Sequence, residues 1–449
     1  MRVIVADALH LIAFRFSTAP LVTLSLSFTL IFAAALALGV LVKLWLASRQ
    51  MRHVAAHRNA VPALFADRIS LSAHQKAADY TIAKTRFGLL ELALGTVVLL
   101  GWTLLGGLDA LNHWLLDAMG GGMLQQLALV AVFALIGGLI DLPGSYYQTF
   151  VIEQRFGFNK MTPGLWLGDL LKGAAMGAII GLPILAVILW LMGATGRWWW
   201  LWAWAVWMGF NLLLMVIYPA FIAPLFNKFQ PLEDESLKAR VTALMQRCGF
   251  SAKGLFVMDG SRRSQHANAY FTGFGASKRV VFFDTLLQKL NADEVDAVLA
   301  HELGHFKHKH IIKRMVALFA LTLLGFALLG WLSGQGWFYT GLGVTPNFNV
   351  QGVAGSAPND ALALLLFLLA APVFSGFVAP LMAHSSRTHE FEADAYAVQQ
   401  TRAQDLQSAL LKLYEDNAST LTPDPLYVRY YYSHPPAVER ISHMQQLTP

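Results

Sequence analysis

Residues 301–332 read "HELGHFKHKHIIKRMVALFALTLLGFALLGWL". The stretch opens on H-E-x-x-H, and from residue 316 to residue 332 it carries no charged side chain. A metal-binding pattern therefore runs almost directly into an apolar segment near the length a bilayer requires, about 17–25 residues. Residues four apart on a helix share a face, so His301 and His305 can hold one ion. Glu302 then lies next to the metal, placed as general base toward a water held there. Zinc brings the pKa of such a water to about 7, within reach of a carboxylate at neutral pH. Asn291 and Glu294 form a capping box at the start of this helix, and Val295, Val298 and Leu299 supply the apolar stripe that buries it.

A catalytic zinc needs a third protein ligand. His308 is seven residues from His301, a rise of about 10.5 Å, too far for one ion to bind both and His305. The elongated pattern with a glycine and a third histidine is also absent, because His308 and Ile311 occupy those places. With Lys307, Lys309 and His310, His308 reads as a basic, solvated helix face where the helix meets the membrane interface. The missing ligand is expected in "SSRTHEFEADAYA" (385–397), where Glu390 and Asp394 are four apart. One carboxylate can bind the ion while the other accepts the distal N–H of a zinc histidine. Glu390 is preferred to His389, whose neighbour one helical turn on is Ala393, and Glu392 points to another, solvated face.

The rest of the chain has the composition of a polytopic membrane protein. Of 449 residues, 56% are hydrophobic and 13% charged, against about 25% charged in a soluble domain. The mean hydropathy is +0.50. The one cysteine, Cys248, excludes an internal disulfide and reads as a buried thiol. Residues 1–20 read as an interfacial lead-in, since Asp7, His10 and Arg15 interrupt their apolar run. Seven spans are expected, near 21–47, 87–108, 124–148, 170–192, 199–221, 316–332 and 361–382. Lys and Arg crowd the segments after spans one, three, five and seven and are sparse after spans two, four and six. That alternation places the N-terminus outside, and the zinc domain and C-terminus in the cytoplasm. The run "RWWWLWAW" (197–204) reads as an interfacial aromatic belt. Glu91, Asp141, Asp169, Lys172 and Asn211 fall in or at the edges of spans, where a charge is costly unless it faces a bundle interior or the interface. The expected organisation is five spans in 1–226, a soluble peptidase portion in 227–312, two spans in 313–384, and a helical remainder of the peptidase in 385–449.

"HELGH" with "EFEAD" resembles the Ste24-type CAAX prenyl proteases, integral membrane zinc metallopeptidases of family M48. The resemblance extends to "FVIEQRFGFNKMTPGLWLGDLLK" (150–172), "IAPLFNKFQPLED" (222–234), "MDGSRRSQHANAYFTGFGASKRVVFFDTLL" (258–287) and "SHPPAVERI" (433–441). It implies a mostly α fold: seven transmembrane helices enclosing a chamber, capped by a gluzincin-like α+β zinc protease domain. It implies one zinc per chain on His301, His305 and Glu390, with Glu302 as base and Asp394 orienting a zinc histidine. His434 and Arg440 would stand near the reacting carbonyl, and Asn268, Ala269 and Tyr270 would lie on an edge strand that holds substrate. The pattern of 268–284 supports that strand independently, as two short strands around a Gly-rich turn whose free edge could pair with an extended peptide. Glu91 and Asn211 would line the chamber.

The expected function is thus a membrane-embedded zinc endopeptidase acting near the cytoplasmic face on a peptide or protein, with CAAX-type processing of prenylated substrates. Lipid is a partner and nucleic acid is not. The composition is compatible with a bacterial inner membrane, where a quality-control endopeptidase without prenyl specificity is the alternative. A transporter with a structural metal site is the remaining reading, and it leaves Glu302 without a purpose.

Overall fold

The computed structural model describes residues 2–250, 254–272, 279–347 and 358–447, with side chains from residue 23 onward and Thr272 as backbone alone. Among the described residues, six helical stretches are long and apolar enough to cross a membrane: Thr23–His57, Leu71–Trp102, Met123–Glu153, Pro163–Ala194, Gly196–Leu225 and His310–Leu332. A seventh crossing is available if the helices Asp360–Ser375 and Ala379–Gln400, bent by 67°, count as one span. The fold is therefore the mostly helical membrane bundle the sequence implies. The chain is already helical from Arg2, so residues 2–20 lead into the first span as helix; the expected interfacial character rests on side chains that lie outside the described ones.

Two expected boundaries need correction. The seventh span was expected as one segment, 361–382, but the helix stops at Ser375 and restarts at Ala379. Pro380 explains the break, because its ring has no N–H for the carbonyl of residue 376 and clashes with it. The bend turns the second helix out of the bundle and toward the peptidase portion. The sixth span also does not simply continue the H-E-x-x-H helix. That helix, Ala292–Lys307, closes at His308, and Lys309 adopts a left-handed conformation (φ 57°) before a new helix begins at His310.

The soluble portion is built on a four-stranded sheet of β1 (Phe229–Pro231), β2 (Gly254–Met258), β3 (Ala269–Thr272) and β4 (Arg279–Phe283), in the order β1-β2-β4-β3. β2 and β4 run parallel, and β3 pairs antiparallel with β4, setting Tyr270 opposite Val281. β3 is thus an edge strand, as expected. The Gly-rich turn assigned between β3 and β4 falls largely on 273–278, outside the described residues. Val280, Phe282 and Leu286 share a core with Val295, Leu299 and Leu303 of the H-E-x-x-H helix, and Leu406, Leu410, Ile441 and Met444 from the C-terminal helices complete it. Cys248 is buried in the same core. One hydrophobic core thus joins the segments on either side of the last two spans.

Ion pairs fasten this core to the bundle. Arg49, at the end of the first span, holds Asp424 through Nη2–Oδ2 at 2.9 Å, and Gln50 Oε1 accepts from Asp424 N. Arg263 donates to Asp169 and to Asn227. Tyr80 donates to Glu153 at 2.6 Å, and His266 lies 3.6 Å from that carboxylate. Asp169 therefore serves as a contact to the peptidase portion, not as a lone charge within a span. Lys172 Nζ donates to Leu225 O. Glu91 lines a cavity of about 300 Å³ with Lys43, Thr96 and Tyr430 among otherwise apolar side chains. Asn211 is not among that cavity's lining residues, and its amide donates to Trp207 O in its own helix.

The expected capping box is present and extended. Asn291 Oδ1 accepts from Glu294 N at 2.9 Å, and Asn291 N donates to Glu294 Oε2 at 2.8 Å. The buried Glu294 carboxylate also accepts from Ser408 Oγ and Lys412 Nζ, each at 2.7 Å. Burial opposes ionisation of Glu294, but the bonds from Lys412, Ser408 and the Asn291 N–H outweigh it and hold its pKa below the usual carboxylate value. A depressed folded-state pKa contributes stability that is present above the unfolded value near 4.5 and is lost as pH falls through the folded value. We expect Glu294→Ala to cost about 1–3 kcal/mol at neutral pH, because it removes a cap together with the bonds that Ser408 and Lys412 make to the buried carboxylate. Thermal unfolding of the detergent-solubilised protein should show the difference at pH 7 and a smaller one below pH 4.

Candidate active site

Two helices cross to form the site. The H-E-x-x-H helix presents His301 and His305, and the helix Ala379–Gln400 presents Glu390 and Asp394. They meet at Gly304: a Cβ there would lie 2.9 Å from Ala393 Cα and 3.0 Å from Ala393 O. Glycine at this place lets the two backbones approach closely enough for side chains of both to reach one point. The fourth residue of H-E-x-x-H is therefore fixed by packing, a role the pattern alone does not disclose.

His301 Nε2 and His305 Nε2 are 3.3 Å apart. Glu390 Oε1 is 3.4 Å from His305 Nε2, and Oε2 is 3.5 Å from His301 Nε2. With bonds of about 2.0–2.1 Å, a tetrahedral zinc separates its ligands by about 3.3–3.4 Å. The two imidazole nitrogens thus have the spacing of one edge of such a site, and each faces a different oxygen of the Glu390 carboxylate at a similar distance. Glu390 Oε2 is buried without a well-directed hydrogen bond, although His434 Nδ1 lies only 2.8 Å away. Two imidazole nitrogens facing each other across 3.3 Å, beside an unsatisfied carboxylate oxygen, are a donor set that fits a divalent cation.

The surrounding groups hold these donors in place. His301 Nδ1 lies 2.9 Å from Asp394 Oδ1, and Asp394 is fully buried. Arg440, itself buried, donates through Nε and Nη2 to the two oxygens of Asp394. Its Nη1 is 3.5 Å from Glu390 Oε2. Burial alone would lower the His301 pKa, but the Asp394 and Glu390 carboxylates raise it to about 9, so the cluster attracts positive charge. Arg440 was expected near a reacting carbonyl; its guanidinium lies on the two carboxylates behind the ligands. His434 is mostly exposed beside Glu390. Glu302 is half-buried on the ligand-bearing helix. Asn268 immediately precedes β3, and its backbone oxygen accepts from Phe283 N. Phe271 of β3 packs edge-on against Phe306, the residue after His305, with ring centroids 5.1 Å apart. The edge strand is therefore tied to the H-E-x-x-H helix.

The structure also corrects the reading of His310 as solvated, and it gives the half-exposed Glu392 a buried partner. His310 is 4% exposed, with its Nδ1 3.0 Å from His305 Nδ1 and its Nε2 2.7 Å from Glu392 Oε2. Its ring stacks on His389 at 4.0 Å. His308 does remain exposed. The reading failed because it extended one helix through Lys309; the left-handed turn there swings His310 in beneath His305. No pattern of period 3.6 signals such a turn at a lysine.

A helical membrane bundle carrying this two-histidine, one-glutamate cluster defines a membrane-embedded metallopeptidase. The family model described as "CAAX prenyl protease N-terminal, five membrane helices" matches residues 50–228, and that of "Peptidase family M48" matches residues 231–448. The chain is 35% identical over 403 residues to CAAX prenyl protease 1 of Saccharomyces cerevisiae, covering 85% of this chain and 88% of that protein. It is 31% identical to a CAAX prenyl protease 1 homolog of Homo sapiens, covering 93% and 96%. A homolog in Arabidopsis thaliana is 40% identical over 71% of this chain and 73% of its own length. The crystal structure of S. mikatae Ste24p superimposes with a TM-score of 0.84 at 33% identity, covering 93% of this chain and 98% of that one. The chain belongs to peptidase family M48, among its membrane-embedded CAAX-protease members.

Because the helix crossing sets the donor spacing, Gly304→Val should push the ligand-bearing helices apart. We expect about 1–3 kcal/mol lower stability from overpacking and a metal content well below that of the wild type after dialysis, measured by elemental analysis alongside the unfolding midpoint.

Proposed function

We propose that this metalloendopeptidase uses one zinc ion held by His301, His305 and Glu390 to cleave peptide bonds near the cytoplasmic face of its membrane. The observation that carries this is the convergence of the two histidine Nε2 atoms and both Glu390 oxygens at 3.3–3.5 Å across two helices, with Glu302 adjacent. Zinc, when bound, supplies Lewis-acid polarisation of a carbonyl and acidification of water. Glu302 takes a proton from the attacking water and returns it to the departing amine. Asp394 accepts the His301 Nδ1–H and fixes the tautomer that leaves Nε2 free for the ion. Arg440 holds Asp394 and balances the two carboxylates. His434, exposed beside Glu390, is placed to donate to the oxyanion that develops on the scissile carbonyl.

The substrate backbone adds to the free edge of β3, with Asn268, Ala269 and Tyr270 supplying the contacts. The Phe271–Phe306 contact keeps that edge in register with the ligand helix. The relatives are named for CAAX prenyl protease activity, which supports prenylated C-terminal peptides as the substrate class over quality-control proteolysis without prenyl specificity. In this reading residues 1–226 and 313–384 form the membrane chamber, and 227–312 with 385–449 form the peptidase. The Lys and Arg bias of the loops supports an outside N-terminus with the site and C-terminus in the cytoplasm. The composition is compatible with a bacterial inner membrane.

Glu302→Gln should retain zinc and lower kcat by about 10²–10⁴-fold; wild-type cleavage with zinc retained contradicts the assignment. His434→Ala should lower kcat by about 10²–10³-fold with a smaller change in KM. Cleavage of a farnesylated peptide should exceed that of its unprenylated twin. Equal rates would remove the prenyl preference and leave the endopeptidase.

A further inference from the structure

The two zinc histidines are supported unequally. His301 is backed directly by the Asp394 carboxylate. His305 is backed by another imidazole, His310, which is backed in turn by Glu392. We propose that His310 is a positioning residue for the metal site, the middle member of a relay from His305 through His310 to Glu392 that fixes the tautomer and angle of His305. The proposal rests on the zinc assignment above and adds residues that assignment does not use.

Ring-nitrogen roles follow from which atoms face the site. His305 Nε2 faces His301 and Glu390, so that nitrogen would hold the ion and His305 would carry its proton on Nδ1. Nδ1 then donates across 3.0 Å to Nδ1 of His310, which must be unprotonated to accept. His310 therefore carries its proton on Nε2 and donates it across 2.7 Å to Glu392 Oε2. Each donor meets one acceptor along the chain, and both nitrogens of His310 are used.

Three further features hold His310 in this role. Its side chain is buried, which is costly for an imidazole unless its polar atoms are paired. Its ring is clamped by parallel stacking on His389, 12° from coplanar at 4.0 Å. The turn that delivers it uses a left-handed lysine, Lys309, a conformation uncommon outside glycine and asparagine. Because the histidine follows a break between helices, it reaches a zinc ligand from outside that ligand's own helix. His308, His310 and Glu392 are close enough together to suggest a second metal site, but with His310 engaged at both nitrogens the relay is the better account.

The test is zinc affinity of the full-length protein in detergent, measured by competition with a chromophoric chelator, with zinc content and unfolding midpoint measured in parallel. Wild type should hold one zinc. Loss of a partner that orients a zinc ligand typically weakens binding about 10–100-fold, and His310→Ala should do so. His310→Asn places an amide oxygen near the Nδ1 position, and it should recover most of the affinity, a rescue that a packing role alone would not give. Glu392→Ala alters a half-exposed side chain and leaves the His389 stack in place; it should loosen zinc by a smaller factor. The double variant His310→Ala/Glu392→Ala should be no worse than His310→Ala, because both changes interrupt one path. Unchanged affinity in His310→Ala, additive losses in the double variant, or a second zinc lost on mutating His308 would each overturn the relay. A wild type without zinc at His301, His305 and Glu390 would instead remove the underlying assignment.

Discussion

The site depends on how closely two helices cross. Gly304 and Ala393 bring the backbones of the H-E-x-x-H helix and the Glu390 helix together so tightly that no side chain fits between them. Only at that separation can two imidazoles from one helix and a carboxylate from the other face a common point with edges of 3.3–3.5 Å. Most of the architecture serves to hold that crossing. The capping box pins the start of one helix to Lys412 and Ser408. The break ahead of Pro380 aims the other out of the bundle. The shared core of sheet, C-terminal helices and H-E-x-x-H helix prevents their separation.

Electrostatics adds a second layer. Two carboxylates, Glu390 and Asp394, are buried within a few ångströms of each other and would repel without cations. Arg440 neutralises part of that charge from behind, and the donor set presents the remainder to the ion. Burying such groups costs stability unless every member is paired, and Arg440 and Asp394 are paired through two hydrogen bonds. The membrane bundle is anchored to the same assembly through Arg49–Asp424 and Arg263–Asp169. The candidate site and the membrane bundle are thereby one mechanical unit.

Much of this was legible in the sequence because the signals were local and periodic. The i, i+4 spacing gave the His301–His305 pair and the Glu390–Asp394 pair, the apolar runs gave the crossings, and Asn291 with Glu294 gave the helix start. What escaped was set by breaks in periodicity and by tertiary approach. Lys309 ends one helix and begins another without any glycine to mark it, so His310 read as solvated when it is buried. The interruption at 376–378 lay inside an apolar run that looked continuous. Gly304 read as a variable position of the motif, since nothing near it in sequence reveals that Ala393 will press against it. Arg440 could be assigned to the site by resemblance, but its placement on Asp394 and Glu390 follows only from the packing of the last helix.

Zinc-edge X-ray absorption of the purified full-length protein tests the central claim most directly, because it reads ligand type, number and distance at the metal itself. One zinc per chain with two imidazole nitrogens and carboxylate oxygen at about 2.0–2.1 Å, reduced to a single imidazole in His305→Ala, is the predicted result. A spectrum with three imidazoles, or one unaffected by replacing Glu390, would contradict a site built where these two helices cross.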